Sequence, residues 1–122
     1  FAFAQCENLE SIVLAETVTM IGDSCFEGDK KLQNVIIPSA CTTIGSSAFA
    51  YCSSLTSINI PDGITVIPYS CFSSCTEMST ITGCKNVSSI GEYAFANSHL
   101  TSYPFGNSLK SIDRSAFQYS YT

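Results

Sequence analysis

Six phenylalanines, Phe3, Phe26, Phe49, Phe72, Phe95 and Phe117, recur every 23 residues, closing to 22 at the last step. Ala or Cys precedes each one, as Ala2, Cys25, Ala48, Cys71, Ala94 and Ala116. So regular a period restricts the chain to a repeat architecture. One unit of this size cannot bury its own apolar face and must stack on a neighbour. Further columns keep the same phase: Leu9, Leu32, Leu55, Met78 and Leu100, then Ile12, Val35, Ile58, Ile81 and Tyr103, and finally Ile21, Ile44, Ile67, Ile90 and Ile112. The unit reads L-x-x-I-x-I-P-x-x-[VI]-x-x-I-G-x-x-[AC]-F-x-x-C-x-x. It divides the chain into a partial repeat over 1–8 and about five repeats of 22–23 residues, at 9–31, 32–54, 55–77, 78–99 and 100–122. These make one domain over 1–122. A first residue lying inside a repeat is the pattern expected of a segment of a longer array.

Within the unit, Ser57-Ile58-Asn59-Ile60 alternates polar and apolar residues, the mark of a half-buried strand. Pro38 and Pro61 stop that strand, since proline has no N–H to give a ladder. The V-x-x-I-G piece forms a second short extended run, with glycine at Gly22, Gly45 and Gly91, Pro68 in the third unit and Asp113 in the last. The A-F-x-x-C piece has small and aromatic residues at a spacing that predicts one turn of helix. Stacked copies pair their strands in parallel about 4.8 Å apart, and the phenylalanines then form a ladder of rings along the axis.

Composition excludes several classes. With five Lys and Arg against ten Asp and Glu, the chain carries a net charge of −5. The cations are scattered, which argues against nucleic acid and against anionic membrane. No apolar run is long enough for membrane insertion.

Seven cysteines would suggest a disulfide framework in a secreted chain. Their columns predict instead that they pack as small hydrophobes. Cys25 and Cys71 stand where other units have Ala, Cys41 replaces Val or Ile, and Cys6, Cys52 and Cys75 share a column with Asp29 and Ser98. The alternatives are a disulfide, best placed between the stacked Cys52 and Cys75, or a metal held by Cys71, Cys75 and His99. Cys84 lies outside the regular columns and is expected at the surface. No cofactor-binding glycine loop is present, and no nucleophile elbow or base-paired nucleophile supports catalysis. The sequence therefore predicts no enzyme, no catalytic residue, no metal and no cofactor.

The unit closely resembles the BspA-like, or treponemal-type, leucine-rich repeats, with Leu55-Thr-Ser-Ile-Asn-Ile-Pro61 and Ile44-Gly45-Ser-Ser-Ala48-Phe49-Ala-Tyr-Cys52 as the clearest matches. That resemblance covers essentially the whole chain. It implies a mostly β leucine-rich-repeat solenoid, a curved right-handed coil with a concave parallel sheet. It also implies a surface or secreted protein that adheres to host or microbial partners. A cytoplasmic scaffold segment with free thiols is the alternative. The fourth and fifth units depart from the pattern, with Gly83-Cys84 and Phe105-Gly106 in place of I-P, so the sheet is expected to distort there.

Strand alternation turns two rows outward: Ser11, Asn34, Ser57 and Thr80, then Val13, Ile36, Asn59 and Thr82. They form a neutral face rich in hydroxyl and amide groups, with an apolar spot at Val13 and Ile36. Such a face suits a protein or glycan ligand and implies no enclosed pocket. Phe1, Phe3, Tyr119 and Tyr121 at the chain ends predict self-association through uncapped coils. Asn86-Val87-Ser88 is a glycosylation sequon at a turn.

Overall fold

The structure is a computed structural model and describes residues 9–101 and 104–119. It is a parallel-strand β-solenoid of about four turns, with no helix among the described residues. Coils 1 to 5 correspond to the five repeats. Coil 1 carries β1 (Ser11–Val13) and β2 (Met20–Ile21), and coil 2 carries β3 (Asn34–Ile36) and β4 (Thr43–Ile44). Coil 3 carries β5 (Ser57–Ile60) and β6 (Val66–Ile67), coil 4 carries β7 (Thr80–Gly83) and β8 (Ser89–Ile90), and coil 5 carries β9 (Ser111–Ile112). Ser102 and Tyr103, in the fifth unit's first strand segment, lie outside the described residues.

The repeat columns become the core. Phe26, Phe49, Phe72 and Phe95 are fully buried, as are Leu32, Leu55, Met78 and Leu100. Successive rings stack nearly parallel at 5.2–5.4 Å from Phe26 through Phe117. Phe105 closes on this ladder edge-on, 6.1 Å from Phe95 and 6.5 Å from Phe117.

The A-F-x-x-C piece is not the helical turn its spacing predicts. Alternate N–H groups there bond to different places. In coil 1, Cys25, Glu27 and Asp29 donate within the coil to Gly22, Ser24 and Phe26. Ser24, Phe26 and Gly28 donate instead to Ser46, Ala48 and Ala50 of coil 2, at 2.8–2.9 Å. Turning every second amide outward requires left-handed backbone, and positive φ recurs two residues before and after Phe26, Phe49, Phe72, Phe95 and Phe117. The first column is Ser24, Ser47, Ser70, Tyr93 and Ser115, and the second is Gly28, Tyr51, Ser74, Asn97 and Tyr119. A left-handed non-glycine residue costs about 1–2 kcal/mol. The inter-coil hydrogen bonds that this conformation aims offset the cost.

Strand pairing is parallel and in the register of the repeat, but it comes in separate ladders. β1 pairs with β3 and β5 with β7, while β2 pairs with β4 and β6 with β8 and then β9. Neither β3 with β5 nor β4 with β6 forms a ladder. Elsewhere, three backbone bonds tie neighbouring coils at matching positions. Gln33 N–H reaches Glu10 O and Ser79 N–H reaches Thr56 O. Thr42 N–H reaches Thr19 O and Ser88 N–H reaches Thr65 O. Gly45 N–H reaches Ile21 O and Gly91 N–H reaches Ile67 O. Among the described residues, the junction of coils 2 and 3 has none of the three. At the last position Pro68 occupies the donor's place and has no N–H.

A side chain spans part of that gap. Asn59 Nδ2 donates to Ile37 O and Asn59 Oδ1 accepts from Ile37 N–H, both at 3.0 Å. The carboxamide oxygen stands in for the Asn59 backbone carbonyl that a ladder would offer Ile37 N–H, and its NH2 meets Ile37 O, which Pro61 has no N–H to bond. The turn side of the same junction is intact. Ser47, Phe49 and Tyr51 donate to Tyr69, Cys71 and Ser73 at 2.8–2.9 Å.

At the Gly83-Cys84 departure the β5–β7 ladder runs in register through Gly83, and the change is confined to the backbone at the end of β7. Both residues have positive φ, +85° and +63°. Gly83 pairs with Ile60, and a Cβ there would fall onto the Ile60 carbonyl oxygen, so no other residue fits without displacing β5.

Candidate ligand-binding face

The outward rows predicted from alternation stand side by side. Ser11 lies opposite Asn34 and Val13 opposite Ile36, while Ser57 lies opposite Thr80 and Asn59 opposite Thr82. An open-sided groove of about 590 Å³ runs over this surface. Its walls bring together Asn34 and Ile36 of β3, Ser57 and Asn59 of β5, and Thr80 and Thr82 of β7, with buried Val35 and Ile58 as its floor. The groove goes beyond the pocketless surface the sequence implied. It extends over coils 2, 3 and 4 and so crosses the junction of coils 2 and 3.

Ser11 and Val13 lie outside that groove. Val13 is 88% exposed and Ile36 67% exposed, so neither is core despite the β-branched side chain. Together with Leu14, Glu16, Pro38 and Ser39 they line a second concavity of about 480 Å³. Alternation could not place Leu14 or Pro38 there, because both sit where the strand bends away. Asn59 is half-buried and its carboxamide is already engaged with Ile37, leaving Asn34, Ser57, Thr80 and Thr82 as the exposed polar members. No residue lining the main groove is charged, although the chain as a whole carries −5.

A further concavity of about 380 Å³ on the short-strand side is lined in part by Val66, Tyr69, Ser89, Glu92 and Asp113. The ring of Tyr69 meets Tyr93 edge-on at 6.2 Å. The repeat columns gave no signal for this feature, because Val66, Tyr69, Glu92 and Asp113 are particular to their own units.

The thiols serve packing. Cys25, Cys41, Cys52, Cys71, Cys75 and Cys84 are all free, and all but the half-buried Cys25 are buried. Cys6 lies outside the described residues. Cys52 and Cys75 form no disulfide with each other. Each Sγ donates to the phenylalanine carbonyl one coil back, Cys52 to Phe26 O and Cys75 to Phe49 O, both at 3.1 Å. Ser98, in the same column, donates instead within its own coil, to Phe95 O at 2.7 Å. Cys84 is fully buried, contrary to its expected exposure, because it fills the space of the proline in the second and third units.

Burial pushes the Cys52 thiol up to about 12, helped by the charge of buried Asp29. Burial also pushes Cys84 up to about 12, and Cys71 and Cys75 well above the ordinary thiol value. Thiols held protonated in this way are poor nucleophiles and poor metal ligands. His99 is exposed while Cys71 and Cys75 are buried, so the structure does not bring that trio together. No group of three His, Cys, Asp or Glu side chains among the described residues could hold a metal.

Stacked parallel coils with an aromatic ladder define a repeat-solenoid interaction domain. The BspA type leucine-rich repeat region matches residues 1–122 in six copies, and the chain belongs to that family. Three solved structures are similar. A leucine-rich repeat protein of Bacteroides ovatus has a TM-score of 0.84 at 29% identity, covering 88% of this chain and 30% of its own. The Treponema pallidum leucine-rich repeat protein has a TM-score of 0.72 at 27% identity, covering 89% and 49%. A leucine-rich cell surface protein of Faecalibacterium prausnitzii has a TM-score of 0.67 at 28% identity, covering 91% and 36%. The chain thus spans less than half the length of each. A search of curated proteins finds no match. The family and these neighbours are described as leucine-rich proteins, two of the three neighbours as leucine-rich repeat proteins. No helix among the described residues is long and apolar enough to cross a membrane.

Proposed function

We propose that this chain is a non-enzymatic binding segment of a cell-surface or secreted protein, and that it adheres to a host or microbial protein through the long-strand face. The observation that carries this reading is the neutral groove across β3, β5 and β7, flanked by the exposed Val13 and Ile36. Hydroxyl and amide groups beside an apolar spot suit a neutral, partly apolar segment of a partner protein or a glycan. They do not suit a polyanion. The cell-surface description of the Faecalibacterium relative supports the location. The protonated, buried thiols support binding without covalent chemistry.

The test is binding of the folded chain to immobilised extracellular-matrix proteins and to a glycan array. Ile36→Glu and Ser57→Arg are expected to weaken any ligand at least tenfold, while Thr76→Arg, outside the groove, leaves it unchanged. Equal binding by all three variants, or no ligand among the matrix proteins and glycans, overturns the proposal. Six free thiols favour a second reading, a scaffold segment held in a reducing compartment. Export of the native gene product to the cell surface, scored by protease shaving of intact cells, separates the two.

Self-association through the coil ends belongs to the same reading. Ile112 and Tyr119 of the last described coil are 53% and 60% exposed. Light scattering is expected to show mass rising with concentration, and a constant monomer mass removes this part.

A further inference from the structure

The junction of coils 2 and 3 is closed along one side and open along the other. On the turn side, three inter-coil hydrogen bonds and the Phe49–Phe72 stack, 5.4 Å apart and 5° from parallel, hold the coils together. The corner between the two strands is also close, since a Cβ on Gly63 would lie 3.0 Å from Cys41 O. On the strand side both ladders stop, and one side-chain amide replaces them. A backbone ladder resists bending because each bond is short and fixed by two rigid strands. A carboxamide on a rotatable side chain can keep its two bonds while the strands tilt.

We infer that this junction is a hinge, about which coils 1–2 and coils 3–5 rock as two rigid blocks, with the turn side as the axis and Asn59 as the latch. The main groove straddles the hinge. Asn34 and Ile36 stand on one block, and Ser57, Asn59, Thr80 and Thr82 on the other. Rocking therefore widens and narrows the groove, and a ligand touching both walls would fix its width. The hinge does not depend on the proposed ligand, because it follows from the hydrogen bonding alone.

Site-resolved native-state amide hydrogen exchange on the whole chain tests it. In the wild type the Ile37 amide, held by Asn59, should have a protection factor at least tenfold below that of Gly91, which bonds Ile67 O across the neighbouring junction. Pro68→Ala supplies the missing N–H opposite Ile44 O, on the other strand of the coil. If the two strands open together, that remote change raises protection at Ile37 at least threefold. Local fraying of β3 would not respond to it. Asn59→Ser should lower Ile37 protection at least tenfold while Phe49, bonded on the turn side, stays within twofold of wild type. The inference is overturned by equal wild-type protection at Ile37 and Gly91, by no response to Pro68→Ala, or by Phe49 falling in step with Ile37.

Discussion

The junctions between coils 2 and 3 and between coils 3 and 4 are built from the same repeat and held in different ways. Between coils 3 and 4, β5 and β7 pair over four residues, and Gly91 N–H closes the short-strand side on Ile67 O at 2.7 Å. Between coils 2 and 3 no strand pairs, and Pro68 stands where Gly91's counterpart would donate. Yet the aromatic ladder crosses both with the same 5.4 Å spacing, and the turn-side hydrogen bonds match. The difference shows which part of a coil holds the stack together. The phenylalanine column, the left-handed turns and the buried Leu and Ile columns continue through a junction that has no strand ladder.

The largest effect should come from the shared part. Phe72→Ala is expected to cost about 3–5 kcal/mol in urea unfolding, and Phe49→Ala about the same. Unequal losses, with Phe49 far cheaper, would mean that the core itself is interrupted beside the unpaired strands. Next comes the paired junction. Gly83→Ala forces a side chain into positive φ and against Ile60 O, for roughly 2–4 kcal/mol. Gly106→Ala, whose Cβ would meet only Lys85 O at 3.8 Å, should be near neutral. Asn59→Ala leaves both polar groups of Ile37 unmet, at a cost of about 1–3 kcal/mol. Thr82→Ala, at the equivalent position one coil on and exposed, should stay within about 0.5 kcal/mol.

The thiols give the smallest and most local readout. Cys52 bonds across a paired junction and Cys75 across the unpaired one, both on the turn side. Among the described cysteines, alkylation with peptide mapping should label Cys25 first and leave Cys52 and Cys75 equally protected. Faster labelling of Cys75 would show the turn side open too. Alkali should act on the same groups. Above the ordinary value of 9.0 the unfolded chain releases thiol protons that native Cys52 and Cys84 retain up to about 12. Their contribution to stability is therefore full below pH 9 and is lost between pH 9 and 12, which urea midpoints taken across that range would follow.

Much of this was legible in the sequence, and the boundary of legibility has physical causes. The Phe, Leu and Ile columns announced the stack because burial acts on every copy alike. Cys52 and Cys71 read correctly as packing, since Ala and Ser hold those positions in other units. The left-handed turns did not show, because Ser and Tyr occupy most of those positions and neither marks positive φ as Gly28 and Asn97 do. The spacing of the small and aromatic residues pointed instead to a helical turn. Cys84 looked irregular in the alignment of units yet fills the same volume as Pro61. Asn59 read as an outward polar residue. Nothing in one unit tells that its amide replaces a neighbouring strand, because that role depends on a ladder missing between two units.

Scalar couplings across hydrogen bonds, measured by NMR on the isotopically labelled chain, test the central claim most directly. Correlations are expected from Gly45 N to Ile21 C′ and from Gly91 N to Ile67 C′, together with one from Ile37 N to the Asn59 side-chain carbonyl and none from Thr65 N to Thr42 C′. A Thr65-to-Thr42 correlation, or one from Ile37 N to the Asn59 backbone carbonyl, would show a continuous ladder through coils 2 and 3 and contradict it.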